Sequence, residues 1–281
     1  MLTNFKFNIP ELDIEAMEKC QIRLDNLTKP LNSLYYFELI AKKIAGLTSN
    51  PKPAKINKMI VVLSENSEIS IATKVFAEHV NAQTMLLNLD NIITNMSFNS
   101  SDDYIKTGLE LATNNKFKTF DVIGLGQISS KIVASTNEFI KLYYNNNTIS
   151  LDNIRNKDIL IISGFIIGLA QAGKAVVIDG IASTAAALIA TSIEPKVKEY
   201  LLASHYDKND IHKKILEEIN IPSYLFLEMN CDDGTGAAMG MSLIDASLHV
   251  LNDMKTFGEA EVAVAQDGPG ALKQTKEVKD V

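Results

Sequence analysis

A chain of 281 residues, 46% hydrophobic and 22% charged, has ordinary globular make-up and enough apolar mass for one large domain with a smaller appendage. Its formal net charge of −7 argues against a nucleic-acid or anionic-membrane partner, which would need a basic face, while leaving room for a small anionic substrate in a local pocket. The two cysteines, Cys20 and Cys231, form no metal-ligand spacing. The start, MLTNFKFNIPELDIEAMEKC, lacks the apolar core of a signal peptide, and the longest apolar stretch, residues 159–169, is too short to span a bilayer. The expectation is a cytoplasmic protein with no membrane segment, no metal and no cofactor.

In chain order, Ile9-Pro10-Glu11 opens a helix. Residues 34–44 carry apolar side chains at helical spacing (Leu34, Phe37, Ile40, Ala41, Ile44) up to a stop at Gly46. Residues 50–53 form a turn-rich linker. Short apolar, β-branched runs follow at 59–63, 84–89, 120–124, 175–179, 200–203 and 223–227, with helical stretches at 156–172, 183–191 and 210–219. Such alternation predicts an α/β fold, a doubly wound, mostly parallel Rossmann-like sheet over residues 53–237. A smaller helical domain is expected from residues 1–52 and 238–281. The asparagines around 145–148 read as a polar turn, and the tail from Gln266 as frayed. In sheets of this kind ligands lie beyond the carboxyl ends of the strands, so the loops that follow strands are the place to seek chemistry.

Three such segments stand out. In VVIDGIASTAAALIA, residues 176–190, a buried strand ends at Asp179-Gly180 and Ser183 or Thr184 can cap the next helix. Free amides there suit an anion or a ribose, or else simply start a helix packed on its sheet. In NCDDGTGAAMG, residues 230–240, Gly234 and Gly236 let backbone approach a ligand, and Thr235 adds a hydroxyl. Asp232 and Asp233 hold ribose hydroxyls or cap the helix, which should run to about Met254. In MKTFGEAEV, residues 254–262, Glu259 and Glu261 cannot act as a pair on one helix face. One of them beside Phe257 serves as a general base or is a solvated surface acid.

Together, and in this order, Asp179-Gly180 with STAAAL, EYLLASH at 199–205, DGTGAA at 233–238 and TFGEA at 256–260 resemble one family, the nicotinate-nucleotide:dimethylbenzimidazole phosphoribosyltransferases. LTKPLNSL at 27–34, with Glu38 and Ala45-Gly46-Leu47, is similar to that family's Lys-Pro-Pro-Gly-Ser-Leu signature. The likeness runs from about Leu27 to Val262, dense after Asn156 and sparse between 59 and 147. It implies transfer of phosphoribose from nicotinate mononucleotide to an aromatic base, giving the nucleotide loop of cobalamin. By resemblance Glu259 takes the place of the general base. Asp233, Gly234, Thr235 and Gly236, with Asp179, Gly180 and Ser183, border the nucleotide site. His205 lines its rim or is a structural histidine, and Lys157 falls where the family carries a lysine near the phosphoribose. The family is dimeric, and some members pair an active with an inactive subunit to activate phenol or p-cresol.

The departures lie in the working parts. The family's strand-end Asp-His-Gly-Val falls within LSENSEI, residues 63–69, which has no histidine and no glycine, so that Asn66 and Ser67 mark a degenerate site. The following segment is much shortened. The family's Gly-Glu-Met-Gly-Ile-Gly-Asn-Thr-Thr loop reads GLGQISSKIVAS at 124–135, placing Gln127 at the second functional glutamate. A carboxamide keeps hydrogen-bonding shape but takes no proton. Ser129, Ser130 and Lys131 retain the means to hold a phosphate. The resemblance therefore implies the non-catalytic subunit of a heterodimer with an active paralogue. The alternatives are an active homodimer with altered base choice and a non-enzymatic mononucleotide-binding module.

Overall fold

A computed structural model describes residues 6–65, 68–94, 98–146, 151–154 and 157–262. Asn66, Ser67, the end of the expected polar turn and the tail from Gln266 lie outside them. The chain divides into two compact units. One is built on Asn57–Met241 together with the segment ending at Pro10, the other on Glu11–Ile56 together with the segment from Ser242.

The helical unit begins with α1 (Ile14–Asn26) and α2 (Tyr35–Thr48). Contrary to the expectation from sequence, residues 9–11 do not open α1. Asp13 does so, its Oδ1 accepting the Ala16 amide at 2.9 Å. Nor does Gly46 stop α2. The helix passes through it to Thr48, and a Cβ at Gly46 would stand 2.7 Å from the Met17 thioether. The glycine is there for close approach, not termination. Cys20, Leu24, Leu27, Ala41, Ala45 and Leu251 form the buried core of this unit.

The sheet unit holds five parallel strands, β1 (Lys58–Ser64), β2 (Ala82–Asn88), β3 (Val122–Ile128), β4 (Ala175–Ile178) and β5 (Leu201–Ala203), in the order β2-β1-β3-β4-β5. Helices α3 (Ile71–His79), α4 (Leu89–Thr94), α5 (Ser101–Ala112), α6 (Ser130–Asn146), α7 (Asp158–Gln171), α8 (Gly180–Ile193) and α9 (Asp210–Glu218) connect or follow them. The doubly wound reading holds. Ile60, Val61, Val62 and Val176, Val177 are buried as befits strands covered on both faces, each contributing about 1.5–3 kcal/mol. Among the described residues the last helix is α10 (Thr235–Asp253).

Residues 223–227 form no strand. Phe226 makes one isolated bridge to Tyr206, and Tyr224, Phe226 and Leu227 are exposed. An apolar alternation becomes a strand by pairing, and the three-residue β5 offers too short an edge. The sheet order reverses between β1 and β3, whose carboxyl ends coincide, Leu63 lying opposite Gln127 and Ser64 opposite Ile128. That crevice is the switch point at which such sheets take ligands.

Candidate functional site

The site is built from the loops that leave β1, β3, β4 and β5 and from the turn that opens α10. Asp179 follows β4 directly, and Gly180 starts α8 with φ of 60°, so the helix begins before Ser183 rather than at it. Ser183 and Thr184 do not cap. The Asp179 amide donates to Ser183 Oγ at 2.8 Å, the Ser183 hydroxyl returns to the Asp179 carbonyl, and Thr184 donates to the Gly180 carbonyl at 2.7 Å. Both hydroxyls are committed to backbone.

Three carboxylates converge here. Asp179 is wholly buried, its Oδ2 accepting the amides of Gly234 at 2.9 Å and Gly236 at 3.2 Å, while Oδ1 lies 3.5 Å from His205 Nδ1. Burial, then the charges of Asp232 and Asp233, raise its pKa well above the ordinary carboxylate range. Asp232 accepts from the Ile181 amide and from Gln127 Nε2, both at 3.3 Å, and burial raises it too. In Asp233 burial also pushes upward but is outweighed. The Thr235 amide at 3.1 Å and the Ser70 hydroxyl at 2.7 Å, with further donors from Thr235 and Thr73, hold it below its usual value.

Gln127 is buried, with both ends of its carboxamide used, since Oε1 accepts the Ser129 amide at 2.9 Å. The Ser129-Ser130-Lys131 cradle already holds a carboxylate. Glu65 accepts from the Ser129 hydroxyl at 2.6 Å, the Lys131 amide at 3.0 Å and the Ser130 hydroxyl at 3.2 Å, and these bonds lower its pKa. His205 is buried and bonded to Ser204 Oγ at 2.9 Å, burial lowering its pKa. Behind it, His212 Nδ1 accepts the Asp207 amide, so its proton sits on Nε2 and is given to Thr184 Oγ1 at 2.9 Å. Burial, then His205, pushes His212 down to about 3 and keeps it neutral.

Lys157 donates to Ser101 Oγ at 2.6 Å, ahead of α7, rather than to the carboxylate cluster. Glu259 belongs to the helical unit, on a turn after α10 and not on a helix. Its Oε1 accepts Arg23 Nη1 at 2.9 Å. Its Oε2 accepts the Thr256 amide at 2.7 Å and Arg23 Nη2 at 3.3 Å. The Arg23 hydrogen bonds, then the Thr256 amide, lower Glu259 to about 2. Arg23 is itself fixed by the Leu251 carbonyl at 2.9 Å. In the LTKPLNSL stretch, Lys29 meets Glu38 at 2.8 Å with both side chains sealed from water.

Of the residues singled out in the sequence, the structure brings together Asp179, Gly180, Asp232, Asp233, Gly234, Gly236 and Gln127. Sequence reasoning missed Glu65, Ser70, Thr73, Arg23 and His212. Ser70 was open to discovery as the cap of α3, in the loop that follows β1. Among the described residues no group of His, Cys, Asp or Glu is arranged to hold a metal, and no helix is long and apolar enough to cross a membrane.

The family model DBI_PRT, described as phosphoribosyltransferase, matches residues 9–91 and 129–262. The nicotinate-nucleotide–dimethylbenzimidazole phosphoribosyltransferase of Ruminiclostridium cellulolyticum is 28% identical, with 91% of this chain and 96% of that protein covered. The proteins of the same name from Dehalococcoides mccartyi and Geobacter sulfurreducens are 27% and 24% identical, covering 91% and 94% of this chain and 96% and 98% of their own. The first alignment spans 337 positions against 281 residues here, so that relative carries stretches this chain lacks. The crystal structure of the Thermus thermophilus enzyme of that name superposes with a TM-score of 0.74 at 19% identity, covering 90% of this chain and all of that one. With motifs, fold and family match in agreement, this chain belongs to the nicotinate-nucleotide:dimethylbenzimidazole phosphoribosyltransferase family, as a divergent member.

Proposed function

We propose that the chain acts in activation of the aromatic lower ligand of a cobamide, as a catalytically impaired phosphoribosyltransferase subunit that works with an active paralogue. In the reaction a nitrogen or oxygen of the aromatic acceptor attacks the anomeric carbon of nicotinate mononucleotide. The bond to nicotinate breaks, and a carboxylate takes the acceptor's proton. In this reading Gly180, Ser183, His205, Asp233, Gly234, Thr235 and Gly236 border the nucleotide with Asp179 buried behind them, Lys157 stands near the phosphoribose and Glu259 is the base.

The observation that carries the impairment is Gln127, a neutral side chain where the resemblance puts a functional glutamate, with both ends spent on Asp232 and Ser129. Glu259 adds to it, because a carboxylate held at about 2 by Arg23 is a poor proton acceptor near neutral pH. The purified chain, given nicotinate mononucleotide and either dimethylbenzimidazole or phenol, should transfer little or no phosphoribose, and an intact paralogue should restore transfer. Robust turnover by the chain alone would sink this reading in favour of an active homodimer. Nucleotide binding with no transfer in any combination would instead favour a mononucleotide-binding module. Gln127→Glu gaining activity would show a site detuned rather than lost.

A further inference from the structure

In sequence the Gly234-Thr235-Gly236 turn is a place for backbone to meet a ligand's anion. In the structure the amides of Gly234 and Gly236 point instead at one atom of the protein itself, Oδ2 of Asp179, at 2.9 and 3.2 Å. The Asp179 side chain has no exposure, so a ligand does not reach it. The acid is rigidly mounted, since its own amide and carbonyl are both bonded to Ser183 one turn into α8. The fit around it is close. A Cβ on Gly236 would lie 2.1 Å from Asp179 Oδ1 and 2.3 Å from His205 Cε1.

A carboxylate removed from water needs donors, and two backbone amides answer that need only if the turn holds one shape. The constraint runs both ways. The turn satisfies one oxygen of the acid, Oδ2, and the acid dictates the turn. We infer that Asp179 is a positioning residue that sets the Gly234-Thr235-Gly236 turn, and with it the start of α10 beside the nucleotide site, without itself touching the nucleotide. The identity of that ligand rests on the function proposed above; the ordering of the turn does not.

Two variants test it by amide hydrogen exchange, read by NMR, and by titration with nicotinate mononucleotide. Asp179→Ala should speed exchange at Gly234 and Gly236 about ten-fold, leave Val176 and Val177 unchanged, and raise the nucleotide's Kd about ten-fold. Asp179→Asn keeps the shape and one acceptor oxygen but not the charge. It should give a smaller rise, about three-fold, confined to the same two amides. It also decides the matter should the alanine variant not fold. Unchanged exchange at both glycines would overturn the inference, as would a loss of protection spread evenly through β4. A weakened Kd with the glycine amides undisturbed would overturn it as well, by pointing to direct contact. So would faster glycine exchange with nucleotide affinity intact. Wild-type protein that binds no nicotinate mononucleotide would count against the proposed function, and the exchange result would still decide whether Asp179 orders the turn.

Discussion

In the helical unit Glu259 faces the Arg23 guanidinium and Glu38 the Lys29 ammonium. At the carboxyl edge of the sheet Asp179, Asp232 and Asp233 meet amides, hydroxyls, a buried histidine and one another. Glu259 on one side and Asp179 with Asp232 on the other are shifted in opposite directions. Arg23 draws Glu259 down to about 2, whereas burial pushes Asp179 and Asp232 up. Asp233 shows that enough neutral donors can overcome burial without any cation. What decides the state of an acid here is therefore the company it keeps, not its depth alone.

The contrast can be broken from either side. The largest effect is expected at Lys29→Met, which strands the Glu38 carboxylate in a sealed site and should remove about 3 kcal/mol of stability in urea denaturation. Replacing both partners, Lys29→Met with Glu38→Leu, should recover most of that. A single variant as stable as wild type would mean that water reaches the pair.

At the sheet edge Gln127→Glu sets a carboxylate against Asp232 Oδ2, which now accepts from the carboxamide, and should destabilise by about 1–2 kcal/mol at neutral pH. The new acid's folded pKa would lie above its unfolded value. The penalty is then absent below the unfolded pKa and grows as pH rises through the folded one. Melting at pH 4.5 and 7.5 compares the two regimes, and an equal loss at both would rule out charge repulsion as the cause.

The smallest effect is expected at Arg23→Gln, which should let Glu259 rise from about 2 toward 4.5 in a carbon-detected NMR titration. In the wild type this pair contributes stability above the unfolded pKa that is lost as pH falls through the folded value near 2. With Glu259 38% exposed, solvent screening reduces the contribution to about 1 kcal/mol. Titration still near 2 in the variant would assign the shift to the Thr256 amide instead.

Much of the fold was legible because β1, β3, β4 and β5 are buried on both faces and so read as unbroken apolar runs. Residues 223–227 are just as apolar but make a single isolated bridge, Phe226 to Tyr206, instead of a strand ladder, a fact that local sequence does not carry. Gly46 looked like a helix stop because a lone glycine gives no sign of Met17 packed against it. The Asp179 turn and the glycines before α10 were visible as strand-to-helix junctions. Arg23 was not, because its partner stands 236 residues away, and Glu65 escaped notice because its role appears only when β1 and β3 lie side by side.

The space around Gly236 has a consequence for inheritance. Its backbone angles are open to any residue, yet even a methyl group would run into Asp179 and His205. Among related sequences a larger residue at this position should therefore appear in company with a smaller one at 179 or 205. The three positions should drift together or stay fixed together, a correlation that an alignment of close relatives can reveal without any assay.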